Sequence, residues 1–327
     1  MNKVSFLTLG CKVNQYETEA MQELFKKRGY EICNEDDISD VYVINTCTVT
    51  NLSDRKSRQF ISRAKKLNKN AILAVVGCYS QVAPDEISEI EDVDVIIGTK
   101  NRAKIVDLCE ESKKSNLKFN IVSELTKDCG FDVLSIENQE SKTRAYIKIQ
   151  EGCDMFCTYC IIPYARGHIA SRKLGAIIVE AKTLAQNGFK EIVLTGIHVA
   201  SYGKDQGGKI DLIDVIEEIA KIPGIERIRL SSIEPRWVTT EKLLRLKATG
   251  KFCDHFHLSL QSGCDKILKS MNRHYDTKIF IERIDLIREV FPDCGITTDV
   301  IVGFPDETED DLNKTIEFCK KIGFSRI

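Results

Sequence analysis

The chain begins with an alternation of apolar and polar positions over residues 4–9 that predicts a strand. Apolar runs at 41–45, 72–76 and 93–97 read as further strands. Between them, helical spacing marks 17–27 and a basic segment from about 53 to 67. Strands alternating with helices imply a mainly parallel sheet. Residues 110–142 mix charges with short apolar runs and hold no long periodic segment. The reading therefore divides the chain into a first domain over 1–112, a linker over 113–142 and a second domain over 143–327.

Past the linker the pattern restarts, with strands expected at 146–150, 191–195, 227–231, 255–260 and 296–302, and helices at 176–186, 212–221 and 279–290. Residues 324–327 look like the start of a sixth strand. Repeated βα units of this length suit a partial (β/α)6 barrel or a doubly wound sheet, and both gather reactive residues at the C-terminal ends of their strands. The fold class expected is thus α/β, a parallel-sheet domain followed by an incomplete barrel. No fixed-period repeat points to a solenoid.

Composition narrows the chemistry. The 327 residues are 43% hydrophobic and 29% charged, as in ordinary globular proteins, and no stretch approaches the roughly 20 apolar residues of a membrane span. The N-terminus lacks the layout of a cleavable signal, so the expectation is a cytoplasmic protein with no membrane contact; a monomer is expected as well. Thirteen cysteines in such a compartment favour metal or catalytic roles over disulfides. With a net charge of −2, any nucleic-acid contact must come from a local basic face.

The sharpest motif is Glu151-Gly152-Cys153-Asp154-Met155-Phe156-Cys157-Thr158-Tyr159-Cys160, a C-x3-C-x2-C spacing directly after an expected strand. Three thiolates can hold a four-iron cluster and leave one iron open to an outside ligand. With an aromatic before the last cysteine, this spacing resembles the signature of radical S-adenosylmethionine (SAM) enzymes. In those enzymes the open iron is chelated by the amino and carboxylate groups of SAM, and an electron cleaves SAM to a 5′-deoxyadenosyl radical. Two plainer readings of the same residues are a zinc site with His168 as fourth ligand and simple burial of the thiols.

Three more cysteines, Cys11, Cys47 and Cys78, each follow an expected strand of the first domain. In a parallel sheet those strand ends share one edge, where open α/β sheets bind ligands. One cysteine in such a place is commonly a packed small residue. Three at equivalent positions suggest a second three-thiolate cluster. Cys33, Cys109, Cys129, Cys253, Cys264, Cys294 and Cys319 show no such grouping, and burial is the expectation for each.

These motifs together resemble the radical SAM methylthiotransferases. Leu9-Gly10-Cys11-Lys12-Val13-Asn14-Gln15-Tyr16-Glu17, Asn45-Thr46-Cys47-Thr48-Val49-Thr50-Asn51 and Val76-Gly77-Cys78 are similar to the family's three N-terminal cysteine motifs. Leu258-Ser259-Leu260-Gln261-Ser262-Gly263, Met271-Asn272-Arg273 and Thr298-Asp299-Val300-Ile301-Val302-Gly303-Phe304-Pro305 resemble its later barrel motifs. Lys12-Val13-Asn14 and the Thr48 to Asn51 run are most similar to the branch acting on N6-threonylcarbamoyladenosine beside the tRNA anticodon. Other branches act on isopentenyladenosine or on a ribosomal protein. The resemblance implies sulfur insertion at adenine carbon-2 and its methylation, consuming two SAM molecules. Family members usually continue into a small RNA-gripping β-barrel, the TRAM domain, and this chain is expected to lack it, ending near strand 6.

The resemblance implies two 4Fe-4S clusters: Cys153, Cys157 and Cys160 for the one that cleaves SAM, and Cys11, Cys47 and Cys78 for an auxiliary one that carries the sulfur. An electron donor of flavodoxin or ferredoxin type follows from the same chemistry. Strand-end position places Thr195, Gly196, Glu234 and Gln261, together with Tyr159, as candidates for the SAM side. A turn glycine, a surface carboxylate and a packed amide are the plainer alternatives. For tRNA phosphates, Arg55, Lys56, Arg58, Arg63, Lys65 and Lys66 offer a basic helix, or simply a solvated one. His198, His255 and His257 receive no role. Readings of other classes are a non-enzymatic zinc protein that binds nucleic acid and a two-cluster electron carrier.

Overall fold

The computed structural model describes residues 2–48, 51–137 and 143–327; for 51–55 and 128 the backbone alone is described. Two compact units emerge, Met1–Glu140 with Ile161–His168, and Ser141–Cys160 with Ile169–Ile327. Among the described residues, no helix is long and apolar enough to cross a membrane.

The first unit runs β1 (Lys3–Thr8), α1 (Lys12–Lys27), β2 (Glu31–Cys33), β3 (Val41–Thr46), α2 (Asn51–Leu67), β4 (Ile72–Gly77), α3 (Cys78–Val82), α4 (Pro84–Ser88), β5 (Val95–Ile97), α5 (Ile105–Ser115) and β6 (Phe119–Asn120). Its sheet has the order β2-β1-β3-β4-β5-β6 and is parallel throughout. Every residue of β3 and β4 is buried, which explains why they read as continuous apolar runs. Alternate side chains then serve opposite faces. Val41, Val43, Ile72, Ala74 and Val76 pack with Met21 and Phe25 of α1 and Ile105 of α5. Tyr42, Ile44, Leu73 and Val75 pack with Phe60, Ile61 and Ala64 of α2.

The stretch expected as a linker behaves differently from that expectation. Phe119 and Asn120 pair with Val95 and Ile96, extending the sheet, and the Tyr16 hydroxyl donates to the Leu134 carbonyl at 2.9 Å. A two-residue strand is too short to show periodicity, and no local pattern announces it.

The second unit runs β7 (Ala145–Glu151), β8 (Ala170–Ser171), α7 (Leu174–Gln186), β9 (Glu191–Gly196), α8 (Leu212–Ala220), β10 (Arg227–Leu230), α9 (Thr240–Ala248), β11 (His255–His257), α10 (Asp265–Ser270), α11 (Thr277–Val290), β12 (Gly295–Thr297) and α12 (Glu309–Ile322). The short α6 (Ile162–Arg166) belongs to the first unit. One sheet has the order β10-β9-β7-β8, and β11 pairs with β12. Parallel bridges Ile228↔Phe252 and Ile233↔Leu258 carry the curvature from β10 toward β11. A parallel progression β7, β9, β10, β11, β12 results, its apolar residues packed under α7, α8, α9 and α11. This is the expected partial barrel, with β8 added antiparallel at the edge.

Three expected strands shorten. The regular ladder between 255–260 and 296–302 covers only His255–His257 and Gly295–Thr297; beyond it Leu258 bridges to Ile233, and Gln261, left-handed at φ +69°, meets Val300 through one bridge. Residues 324–327 form a single bridge, Thr297↔Arg326, rather than a full strand.

Candidate active site

In the second unit β7 ends at Glu151, and Gly152 (φ +71°) turns the chain into the cysteine loop. The loop has no regular structure of its own up to Cys157, so its shape depends on borrowed hydrogen bonds. Gln150 donates through Nε2 to the Glu151 and Gly152 carbonyls, both at 2.7 Å. Asn272 donates through Nδ2 to the Phe156 carbonyl at 3.0 Å and the Met155 carbonyl at 3.3 Å. Thr158 is held twice, its N–H to the Met271 carbonyl at 3.2 Å and its hydroxyl to the Ser270 carbonyl at 2.9 Å. Phe156 sits at φ +46°, a strained setting for an aromatic residue that these contacts sustain.

The three thiols differ in setting: Cys157 is buried, while Cys153 and Cys160 are half-buried. Burial pushes the Cys153 thiol up to about 11, opposed by the Met155 N–H and reinforced by Cys160 and Cys157 nearby. Arg273 donates through Nη1 to the Cys157 sulfur at 3.2 Å. Burial works against the guanidinium charge, but Tyr275, Tyr159 and Cys157 outweigh it and hold the arginine charged. Arg273 also lies over the Tyr275 ring, 4.8 Å from its centroid.

In the first unit the other trio follows three adjacent strands. Thr8 pairs with Asn45, and Thr46 pairs with Gly77, so the chain leaves β1, β3 and β4 along one sheet edge. Cys11 caps the start of α1, Cys47 follows β3, and Cys78 begins α3. Gly10 (φ +104°) brings the backbone so close that a Cβ there would lie 2.7 Å from Cys47 Cβ and 2.8 Å from its sulfur. Gly77 (φ +102°) is equally constrained, its Cβ position being 2.6 Å from the Thr46 carbonyl oxygen and from Asn45 Oδ1. Only glycine suits both conformation and space. Gly10-Cys11, Gly77-Cys78 and Gly152-Cys153 thus share one device, a left-handed glycine that aims the next cysteine.

Asn14 ties the three arms together. Its Nδ2 donates to the Leu9 and Thr46 carbonyls, both at 2.8 Å, just ahead of Cys11 and Cys47. Its Oδ1 accepts from Arg166 Nη2 at 2.6 Å, and Arg166 Nε donates to the Cys78 sulfur at 3.2 Å. Glu17 accepts from Arg166 Nη1 at 2.5 Å and pairs with Arg102, whose Nε donates to Asp132 at 2.9 Å. The side chains of Glu17, Arg102 and Arg166 are fully buried. Burial raises the Cys78 thiol, against the pull of Arg166.

The donor chemistry of both sets fits iron–sulfur clusters: three cysteines each, with a guanidinium N–H on one sulfur. Among the described residues no three His, Cys, Asp or Glu side chains gather tightly enough for a single metal ion. Thiols that bind separate corners of a cube stand further apart than ligands of one ion.

The other expected residues divide. Thr195 is buried at the end of β9, and a Cβ on Gly196 would lie 2.8 Å from the Gln150 carbonyl oxygen, so Gly196 is required by close packing against β7. Glu234 is buried after β10, its carboxyl raised by burial despite Arg236 at 3.5 Å. Gln261 lies past β11 in a left-handed conformation and bridges to Val300 beyond β12. Tyr159 is partly exposed, its hydroxyl raised by burial of the ring's surroundings. His198 offers Nδ1 to Ser201 at 2.5 Å, while its Nε2 is buried without a partner among the described residues.

Among the described side chains of α2, Arg63 pairs with Asp36 and Lys65 pairs with Asp94 at 3.0 Å, and Lys56, Arg58 and Lys66 are exposed outside those pairs. The Arg55 side chain, and Val49 and Thr50 of the second cysteine motif, lie outside the described residues. Sequence reasoning gave no role to Asn14, Glu17, Arg102, Arg166 or Arg273. Asn14, Glu17 and Arg273 were visible only as motif letters, since contacts across tens of residues leave no spacing signal.

Residues 147–319 match the radical SAM superfamily, and 3–98 match the uncharacterized protein family UPF0004. The chain is similar to the threonylcarbamoyladenosine tRNA methylthiotransferase MtaB of Bacillus subtilis (strain 168), at 43% identity over 100% of this chain and 72% of that protein. The protein of the same name from Aquifex aeolicus (strain VF5) is 44% identical over 99% of this chain and 78% of its own length. A tRNA-2-methylthio-N(6)-dimethylallyladenosine synthase of Clostridium tetani (strain Massachusetts / E88) is 36% identical over 97% and 71%. The fold resembles that of the radical SAM methyltransferase TsrM from Kitasatospora setae with cobalamin and a 4Fe-4S cluster bound. The TM-score is 0.71 at 13% identity, covering 99% of this chain and 74% of that one.

Proposed function

We propose that this chain, which belongs to the radical SAM methylthiotransferase family, converts N6-threonylcarbamoyladenosine next to the tRNA anticodon to its 2-methylthio derivative. The observation that carries this reading is the pair of cysteine trios, one in a loop after β7 and one at three adjacent strand ends, in a chain similar throughout its length to enzymes of that name. Higher identity to the threonylcarbamoyladenosine enzymes than to the dimethylallyladenosine synthase favours the first substrate over the second.

Adenine carbon-2 has neither an acidic proton nor a leaving group, so general acid–base catalysis has nothing to act on. Bound to the two trios, 4Fe-4S clusters with SAM supply the radical and sulfur chemistry such a carbon requires. Cys153, Cys157 and Cys160 hold the cluster that meets SAM; Cys11, Cys47 and Cys78 hold the auxiliary one. Asn272 and Thr158 fix the loop backbone so that the thiols keep their places. Arg273 keeps a permanent N–H on the Cys157 sulfur. Close packing at Gly196 and burial at Thr195 and Glu234 would exclude water from the strand ends where SAM would lie, and Gln261 and Tyr159 are the further candidates for its binding.

The exposed cations of α2 meet tRNA phosphate. One-electron chemistry needs a single-electron carrier, which supports a flavodoxin- or ferredoxin-like partner. A tRNA substrate and reduced thiols support a cytoplasmic setting, with the chain working as a monomer. The test is mass spectrometry of tRNA nucleosides from cells with and without the gene. Loss of 2-methylthio-N6-threonylcarbamoyladenosine, with its precursor accumulating, is expected. Loss confined to the methylthio derivative of isopentenyladenosine would move the substrate to the other branch, and an unchanged nucleoside profile would remove the reaction.

A further inference from the structure

We propose that Arg166 is a positioning residue that sets the reduction potential of the cluster held by Cys11, Cys47 and Cys78, acting through its hydrogen bond to the Cys78 sulfur. The proposal rests on the cluster reading given above. A guanidinium carries its donors in one rigid plane, and here that plane is used on three sides. Nη1 donates to Glu17 Oε1 at 2.5 Å, and Nη2 donates to Glu17 Oε2 at 3.0 Å and to Asn14 Oδ1 at 2.6 Å. These contacts leave Nε a single direction, toward Cys78 at 3.2 Å.

The anchors belong to the same centre. Asn14 and Glu17 lie on α1, which starts immediately after Cys11, and Asn14 also holds the carbonyls of Leu9 and Thr46 ahead of Cys11 and Cys47. One side-chain network therefore fixes the backbone of two arms and the sulfur of the third. A residue needed only for packing would not require a buried charge, which is costly to desolvate and is retained here with full pairing.

The sign follows from charge. A cubane with three thiolates carries one more negative charge when reduced, and a buried N–H dipole on a ligand sulfur favours that state. Glu17 and Asp132 together balance the charges of Arg166 and Arg102, so the directed N–H is what reaches the sulfur. Arg166 cannot lose its proton, so the effect persists at any working pH.

The experiment uses the full chain carrying Cys153→Ala, Cys157→Ala and Cys160→Ala, so that a single cluster remains, loaded anaerobically with iron and sulfide. Midpoint potentials are read by redox titration followed by electron paramagnetic resonance, with iron and sulfide counted per chain. Arg166→Met should lower the potential with iron content retained, and Arg166→Lys should lie between the two. If Arg166→Met does not fold, Arg166→Lys decides alone. Potentials equal to the parent's in every folded variant would overturn the proposal while leaving the cluster in place. A parent that loads no iron and sulfide would instead remove the underlying ligand assignment, and the proposal with it.

Discussion

Arg273 reaches the sulfur of Cys157 from 116 positions further along the chain, at 3.2 Å, while its plane rests on the ring of Tyr275. Its Nε donates to the Tyr275 hydroxyl at 3.1 Å, and that hydroxyl donates to the Leu260 carbonyl at 2.8 Å. The arginine is thus locked to the barrel before it touches the thiol. Outer contacts of this kind typically change metal affinity or activity by ~10–100-fold when removed. Arg273→Ala should lower SAM cleavage by about that factor, measured as 5′-deoxyadenosine formed per loaded chain. A rate unchanged at equal iron content would show the contact to be incidental.

The two trios should separate genetically. Cys157→Ala leaves a two-thiolate site and should abolish 5′-deoxyadenosine production. Cys47→Ala should spare SAM cleavage and stop methylthiolation. Product nucleoside formed at the normal rate by the second variant would deny Cys47 its place in an auxiliary centre.

Gly77→Ala should destabilise the first unit. Left-handed backbone at a non-glycine residue costs on the order of 1 kcal/mol or more, and here the new Cβ also meets the Thr46 carbonyl oxygen at 2.6 Å. A urea midpoint well below the parent's is expected for the apoprotein. Gly29→Ala, with open space around its Cβ, makes the control for left-handed strain without a clash.

Acid should weaken the second unit through His198. Burial, aided by Lys204, Arg273 and Arg236, lowers the imidazole to about 4, against an ordinary value near 6.5. Between those values the unfolded chain binds the extra proton, so stability is full above about pH 6.5 and falls as pH drops toward 4. His198→Gln should flatten this part of the urea-midpoint profile relative to the parent. Parallel profiles would place the acid sensitivity elsewhere.

Replacing Lys56, Arg58 and Lys66 with glutamine should weaken tRNA binding evenly across sequences and reduce the steepness of its salt dependence, read from Kd at several salt concentrations. An unchanged salt slope would place the phosphate-binding face on another element.

Much of this architecture was legible because its causes are local. The fully buried β3 and β4 announce themselves as apolar runs, and Cys47 and Cys78 fall at strand ends on sequence pattern alone. C-x3-C-x2-C spacing is likewise a local signal. Arg166 meeting Glu17 across 149 positions is not local, and nothing in either neighbourhood foretells it. The short β6 and the edge strand β8 were invisible for a different reason, having too few residues to show a period. The basic run of α2 is legible, whereas the pairing of Arg63 with Asp36 and of Lys65 with Asp94 is not, because both partners sit outside the helix.

The pairing of Thr46 with Gly77, one residue ahead of a cysteine on each strand, has a consequence for how the protein matures. Sliding β3 by one residue against β4 would invert its side chains between faces and displace Cys47 from its neighbour. With Cys11, Cys47 and Cys78 as the proposed ligands, metal uptake in the first unit would report on strand alignment: a chain that had joined its sheet out of step could not assemble a three-thiolate seat, and iron loading would distinguish correctly matured molecules from mispaired ones.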